Sequence, residues 1–178
     1  VFPLYEEVTM AELAAALARR RRMETGELWA SAITEELYLG AGRDASNLQQ
    51  LHKHNVRYIL NVADDVENFH EGQEDFVYCN LHVTDFGGDA GIRRVFTQAI
   101  DFVKKSLSSG SDGAEGTILV HCANGTNRSA TVMIAIVMEL KGMSLQDASE
   151  YVRERRPSCS PLRDNWEQLQ LWEQERDS

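Results

Sequence analysis

Cysteine is scarce: only Cys79, Cys122 and Cys159 occur, an odd number at scattered spacing, with no CxxC pair and no Cys/His cluster. That usage excludes a disulfide framework and a structural zinc site, and reads as free thiols in a reducing compartment. Long apolar runs are also missing, none approaching the ~20 residues that cross a bilayer. The opening "VFPLYEEVTM" lacks the basic lead and apolar stretch of a secretion signal. A soluble protein of the cytoplasm, and also of the nucleus, is expected. Positive charge is short, with 18 Lys plus Arg against 28 Asp plus Glu and a formal charge of -10. Such a balance repels nucleic acid and anionic membrane, so neither is expected as a partner. Internal repeats are absent, and the chain begins on Val1, which points to a piece of something longer.

What is present in the 178 residues fits one compact domain running from 29 to 178, preceded by a helical extension over 1–28. Thr9 and Glu12 stand at capping-box spacing before a run of helix formers ending in Arg19 to Arg22, which predicts a helix over 9–22. Those arginines read as a solvated basic helix end, with docking of an acidic partner such as a kinase as the alternative. Ile33, Leu37 and Leu39 beside Gly40 and Gly42 predict a strand and turn, after which Asp44 caps a short helix carrying Leu48 and Leu51. "VRYILNV" (56–62) and "FVYCNLHV" (76–83) have the β-branched and aromatic content of strands. Helical spacing of Ile92, Val95, Phe96, Ala99, Ile100, Val103 and Leu107 predicts a helix over 91–108, and "TILVH" (117–121) is the next strand. From Arg128 to Leu140 nearly every position is small or apolar, which suits a central helix buried on most sides. Ser144 with Asp147 caps another helix, and Trp166, Leu169 and Trp172 mark the last. Strands interleaved with helices imply an α/β fold, a mostly parallel central sheet flanked by helices.

The stretch "HCANGTNRSA" (121–130) carries the chemistry. A strand running straight into a buried helix puts residues 122–128 at a helix N-terminus, where backbone N–H groups and the dipole attract an anion. Ala123, Asn124, Gly125, Thr126 and Asn127 thus become an anion cradle, with Gly125 allowing the tight turn. Cys122 stands in the same positive field, which favours a thiolate nucleophile aimed at the bound anion. Arg128 offers a planar fork to two oxygens of a phosphoryl group, and the Ser129 hydroxyl is placed to hydrogen-bond the sulfur.

"VHCANGTNRSA" resembles the signature loop of cysteine-based protein tyrosine phosphatases, in particular the dual-specificity branch. "ITEELYLGAGRDASNLQQLHKHNVRYILNV" resembles the opening of the MAP kinase phosphatase and slingshot catalytic domains, and "ASEYVRERRP" with "WEQLQLWE" resembles their closing helices, so that about 29–175 is covered. The resemblance implies the protein tyrosine phosphatase-like fold and a two-step hydrolysis without metal or other cofactor. Cys122 would attack phosphorus, an aspartic acid would protonate the leaving oxygen, and water would then hydrolyse the phosphocysteine. Asp85 in "LHVTDFGGDAG" matches the acid's place, ahead of Asp89 and of the surface pair Asp64 and Asp65, with Gly87 and Gly88 allowing loop closure. His121 would support the acidity of the cysteine by hydrogen bonding. The implied partner is a phosphorylated protein, a MAP kinase on one likeness and phospho-cofilin, an actin-regulatory protein, on the other.

Several features depart from that pattern. Thr126 and Asn127 are unusual, and "GTNR" resembles the Gly-x-Asn-Arg of RNA 5′-triphosphatases, which makes RNA 5′-phosphatase chemistry an alternative. The acidic balance, Ser129 after the arginine and the presence of Asp85 stand against it. The loop has no lysine, which disfavours a phosphoinositide head group. Leu162 follows Pro161 where relatives usually have asparagine. A phosphoprotein-binding scaffold with weak or no catalysis is a further alternative, opposed by the presence of both Cys122 and Arg128. The short chain implies a shallow pocket open to phosphoserine and phosphothreonine as well as phosphotyrosine. Cys79 or Cys159 as a resolving thiol for an oxidised Cys122 is also open.

Overall fold

The computed structural model describes Thr9, Leu17 and residues 29–85, 91–109 and 116–177. The helix expected over 9–22, with Arg19 to Arg22, falls almost entirely outside the described residues, as do Gly87, Gly88 and Asp89.

Five strands form one sheet among the described residues: β1 (Ser31–Ala32), β2 (Leu37–Ala41), β3 (Val56–Ala63), β4 (Val77–Val83) and β5 (Thr117–Cys122). Their order is β1-β2-β5-β3-β4, with β1 antiparallel to β2 and the other neighbours parallel. Parallel strands need crossovers. Short helices α1 (Gly42–Ser46) and α2 (Leu48–Lys53) follow β2, a 3-10 turn (Ile92–Val95) and α3 (Phe96–Ser108) follow β4, and α4 (Arg128–Lys141), α5 (Leu145–Arg155) and α6 (Arg163–Arg176) follow β5.

The strands alternate between two apolar layers, as a period of two requires. Tyr58, Leu60, Val62, Ile118 and Val120 face the larger core, which α3 to α6 complete, whereas Ile59 and Leu119 face a smaller one with Ala45 and Leu51 from α1 and α2. β5 lies in the middle of the sheet, and α4 behind it is buried at every position from Arg128 to Met138. Gly142 ends α4 in the left-handed conformation, φ 61°, where glycine carries no Cβ penalty.

Two local expectations change. Asp44 does not cap the helix carrying Leu48 and Leu51; it lies inside α1 and its carboxylate accepts the Ala41 N–H at 2.7 Å. Asn47 separates α1 from α2 and caps the latter, accepting the Gln50 N–H at 3.2 Å. The predicted helix over 91–108 opens with the 3-10 turn because Gly91, at φ 99°, turns the chain immediately before it.

Candidate active site

The carboxyl ends of the parallel strands meet at one edge, the usual place for a site in such a sheet. Ala41 of β2 stands level with Cys122 of β5, while Gly40, His121 and Asn61 align one residue earlier. β4 carries a bulge here: Asn80 pairs with Asn61 and Val83 with Ala63, and His82 takes φ 49°, a rare value for a residue other than glycine. The bulge brings the Val83 carbonyl, and Asp85 just beyond it, toward the end of β5.

Between β5 and α4 the loop 123–127 turns its carbonyls outward, each onto a donor. The Ala123 oxygen accepts the Gly42 N–H at 3.1 Å, Asn124 accepts Thr126 Oγ1 and Arg156 Nη2 at 3.4 Å each, and Gly125 accepts Arg156 Nε at 2.8 Å. Thr126 accepts the Ser160 N–H at 2.8 Å, and Asn127 accepts both the N–H and the hydroxyl of Thr131 at 2.8 Å. In a trans peptide the N–H points opposite the carbonyl, so this arrangement turns the amides of residues 124 to 128 inward. The Gly125 N–H reaches the Cys122 sulfur at 3.3 Å. Gly125 itself sits at φ 67°, and a Cβ there would stand 2.4 Å from the Gly40 oxygen and 2.6 Å from Arg156 Nη2. Only glycine fits.

Cys122 is buried, and its sulfur also meets the Ser129 hydroxyl at 3.1 Å. The Gly125 N–H donates to the sulfur, and the Ser129 hydroxyl is within reach to do so. His121 is fully buried; its ring nitrogens meet no side chain among the described residues, and the polar group beside the ring is the Cys122 backbone. Burial pulls the imidazole down to about 4, although the Cys122 backbone opposes the shift, and the ring is neutral at neutral pH.

Arg128, 1% exposed, is the largest fully buried side chain. Nη1 donates to the Val83 carbonyl at 2.9 Å, to Asp65 at 2.8 Å and to Asp64 at 3.4 Å, and Nε lies 3.4 Å from Asp85 Oδ2. Burial opposes its charge, but the Asp65 hydrogen bond and the charges of Asp85 and Cys122 more than offset this and hold the guanidinium above its ordinary value. In return the Arg128 hydrogen bond holds the Asp65 carboxyl below the usual carboxylate range. Nε and Nη2, which form one edge of the fork, have no hydrogen-bond partner among the described residues. A buried cationic fork held at Nη1, whose Nε–Nη2 edge meets only the Asp85 carboxylate at 3.4 Å, matches two oxygens of a phosphoryl group.

Asp85 meets the loop directly. Asn127 Nδ2 donates to Asp85 Oδ1 at 2.9 Å. Ala123 to Asn127, Cys122, Arg128, Ser129 and Asp85 are thus brought together. Asp64 and Asp65, expected as a surface pair, are part-exposed yet serve as carboxylate partners of Arg128. Arg156, which ties two loop carbonyls, and buried Asn61, whose amide donates to the Val66 oxygen at 2.7 Å and to Asn68 at 3.1 Å, are further contributors. A polar Asn61 within the apolar run 58–63 was the sequence signal for the second of these. Cys79 and Cys159 are free, and burial raises both thiols, Cys159 to about 11, so neither is thiolate at neutral pH.

Comparison with known proteins agrees with this geometry. The family model for the dual specificity phosphatase catalytic domain matches residues 37–175. Human dual specificity protein phosphatase 9 is 38% identical over 129 residues, 72% of this chain and 32% of its own length. Drosophila melanogaster protein phosphatase Slingshot is 34% identical over 140 residues, 79% of this chain and 13% of its own. The chain thus spans a third or less of these two relatives. Among solved structures, the human tyrosine phosphatase-like serine/threonine/tyrosine-interacting protein is 32% identical with a TM-score of 0.73, covering 84% of this chain and 98% of that one. Human DUSP28 is 25% identical with a TM-score of 0.75 over 84% and 95%. On these matches the chain belongs to the dual specificity phosphatases, as a cysteine-based protein phosphatase catalytic domain.

Proposed function

We propose that this domain removes phosphate from phosphotyrosine and from phosphoserine or phosphothreonine in a protein partner through a phosphocysteine intermediate. The observation that carries the reading is the open Nε–Nη2 edge of buried Arg128, together with a loop whose amides turn inward around Cys122. The Cys122 sulfur forms a bond to phosphorus as the bond to the leaving oxygen breaks, and Asp85 gives that oxygen its proton. Arg128 and the loop amides hold the equatorial oxygens, whose charge grows in the transition state. Water then attacks phosphorus and passes a proton to Asp85. The S–P bond breaks, inorganic phosphate leaves, and Ser129 stabilises the returning thiolate.

The likeness to MAP kinase phosphatase and slingshot catalytic domains makes a phosphorylated MAP kinase, or an actin-regulatory protein such as phospho-cofilin, the proposed partner. Three free cysteines suit a reducing compartment, the cytoplasm or the nucleus. Hydrolysis of para-nitrophenyl phosphate in chelator and reductant tests the chemistry. Activity should survive chelation, vanish in Cys122→Ser and lose its basic limb in Asp85→Asn. An intact domain that binds a phosphopeptide and releases no phosphate would replace catalysis with a scaffold role.

A further inference from the structure

Asn127 occupies the N-cap of α4, a position where asparagine ordinarily turns its side chain back onto an N–H of the first helical turn. Here it makes no such bond. The amide is instead used on both ends. Oδ1 accepts the Leu162 N–H at 2.8 Å and Asn165 Nδ2 at 2.9 Å, while Nδ2 donates to Asp85 Oδ1 at 2.9 Å. A backbone N–H can only donate, so Leu162 fixes which end of the amide carries oxygen. Nδ2 must then face the carboxylate, since a flipped amide would set oxygen against oxygen and donor against donor.

We propose that the Asn127 side chain is a positioning residue for the acid and base Asp85, a role that rests on the phosphatase reading above. By holding Asp85 Oδ1 with an N–H, Asn127 leaves Oδ2 as the oxygen that carries the proton once the phosphoryl oxygens engage the Arg128 guanidinium. Oδ2 is the one beside Arg128, 3.4 Å from Nε, and therefore the one that faces the phosphoryl group on the open edge of the fork. Leu162 and Asn165 anchor the arrangement to the start of α6, so the acid is oriented from a helix rather than by its own strand end alone. A carboxylic acid held in one orientation transfers its proton from a near-attack geometry, and the benefit is largest where the leaving group most needs protonation.

Leaving-group dependence tests this. Asn127→Ser keeps a strong N-cap residue, which preserves α4, but is too short to span Asp85 and Leu162. It should lower the ratio of kcat on phenyl phosphate, whose phenol leaves poorly, to kcat on para-nitrophenyl phosphate on the order of 5-fold. Asn127→Ala should repeat the pattern, with KM for both substrates within about 2-fold of the intact domain's. In an Asp85→Asn background Asn127→Ser should have no further effect, because the group it orients no longer carries a proton. Equal losses on both substrates, or an additive loss in that background, would overturn the positioning role while leaving the phosphatase reading intact. An intact domain inactive on both substrates would overturn both.

Discussion

Acidification from pH 7 to pH 5 should weaken the fold through His121 specifically. The imidazole is fully buried, and burial, only partly opposed by the Cys122 backbone, lowers its folded value from the ordinary 6.5 to about 4. Between those values the unfolded chain binds a proton at this site and the folded chain does not, so stability is present above 6.5 and falls as pH drops toward 4. At pH 5 the unfolded imidazole is almost fully charged while the folded one is roughly nine-tenths neutral, which makes the loss between pH 7 and pH 5 about 2 kcal/mol. With a urea dependence of about 2 kcal/mol per molar, the unfolding midpoint moves down by about 1 M. Urea titrations of the intact domain and His121→Leu at both pH values measure it. His54, lowered chiefly by burial, and the depressed carboxylates Asp65 and Glu139 titrate in both proteins and cancel in the difference. If the intact domain and the leucine variant lost equal stability on acidification, the ring would have to be charged in the folded state, and the reasoning would fail.

Two substitutions in the loop separate charge from geometry. Arg128→Lys keeps the positive charge and loses the planar fork, so kcat/KM on para-nitrophenyl phosphate should fall on the order of 100-fold, with inorganic phosphate a weaker inhibitor. Gly125→Ala forces a Cβ onto the Gly40 oxygen at a φ of 67° and should cost at least about 2 kcal/mol by urea unfolding, along with most of the activity.

A net charge of -10 surrounds a site built to hold an anion, and local structure resolves the contradiction. Arg128 is buried where its charge is least screened, while Asp64 and Asp65 share one of its nitrogens and leave the opposite edge open. The carboxylates hold the guanidinium in place without occupying the edge that faces the phosphate. The acidic surface counts mainly at longer range, where it repels polyanions.

The nucleophile and its loop were legible because their signal is local. A strand, five residues and a helix are contiguous, and the chemistry of Cys122, Gly125, Arg128 and Ser129 follows from their place at that junction. Helical spacing likewise gave α3, and local composition gave the buried α4 and the strands of the sheet, since both are properties of neighbours in the chain. The contacts that orient these groups join residues far apart in sequence. Asp65 lies 63 positions from Arg128, Asn127 lies 42 from Asp85, and Arg156 lies 31 from Gly125. Nothing local distinguishes Asp65 from any exposed aspartate, and an asparagine at a helix N-cap reads as a cap until its partners are seen. His121 shows the converse: its neighbourhood in the sequence placed it beside the cysteine, and packing in the middle of the sheet decided that the ring is neutral and meets the Cys122 backbone. Residue type and short-range spacing thus determined which groups can do the chemistry, whereas parallel pairing of β2, β5 and β3 and the bulge in β4 decided which carboxylates and amides reach them. Only a folded sheet brings those strand ends to one edge.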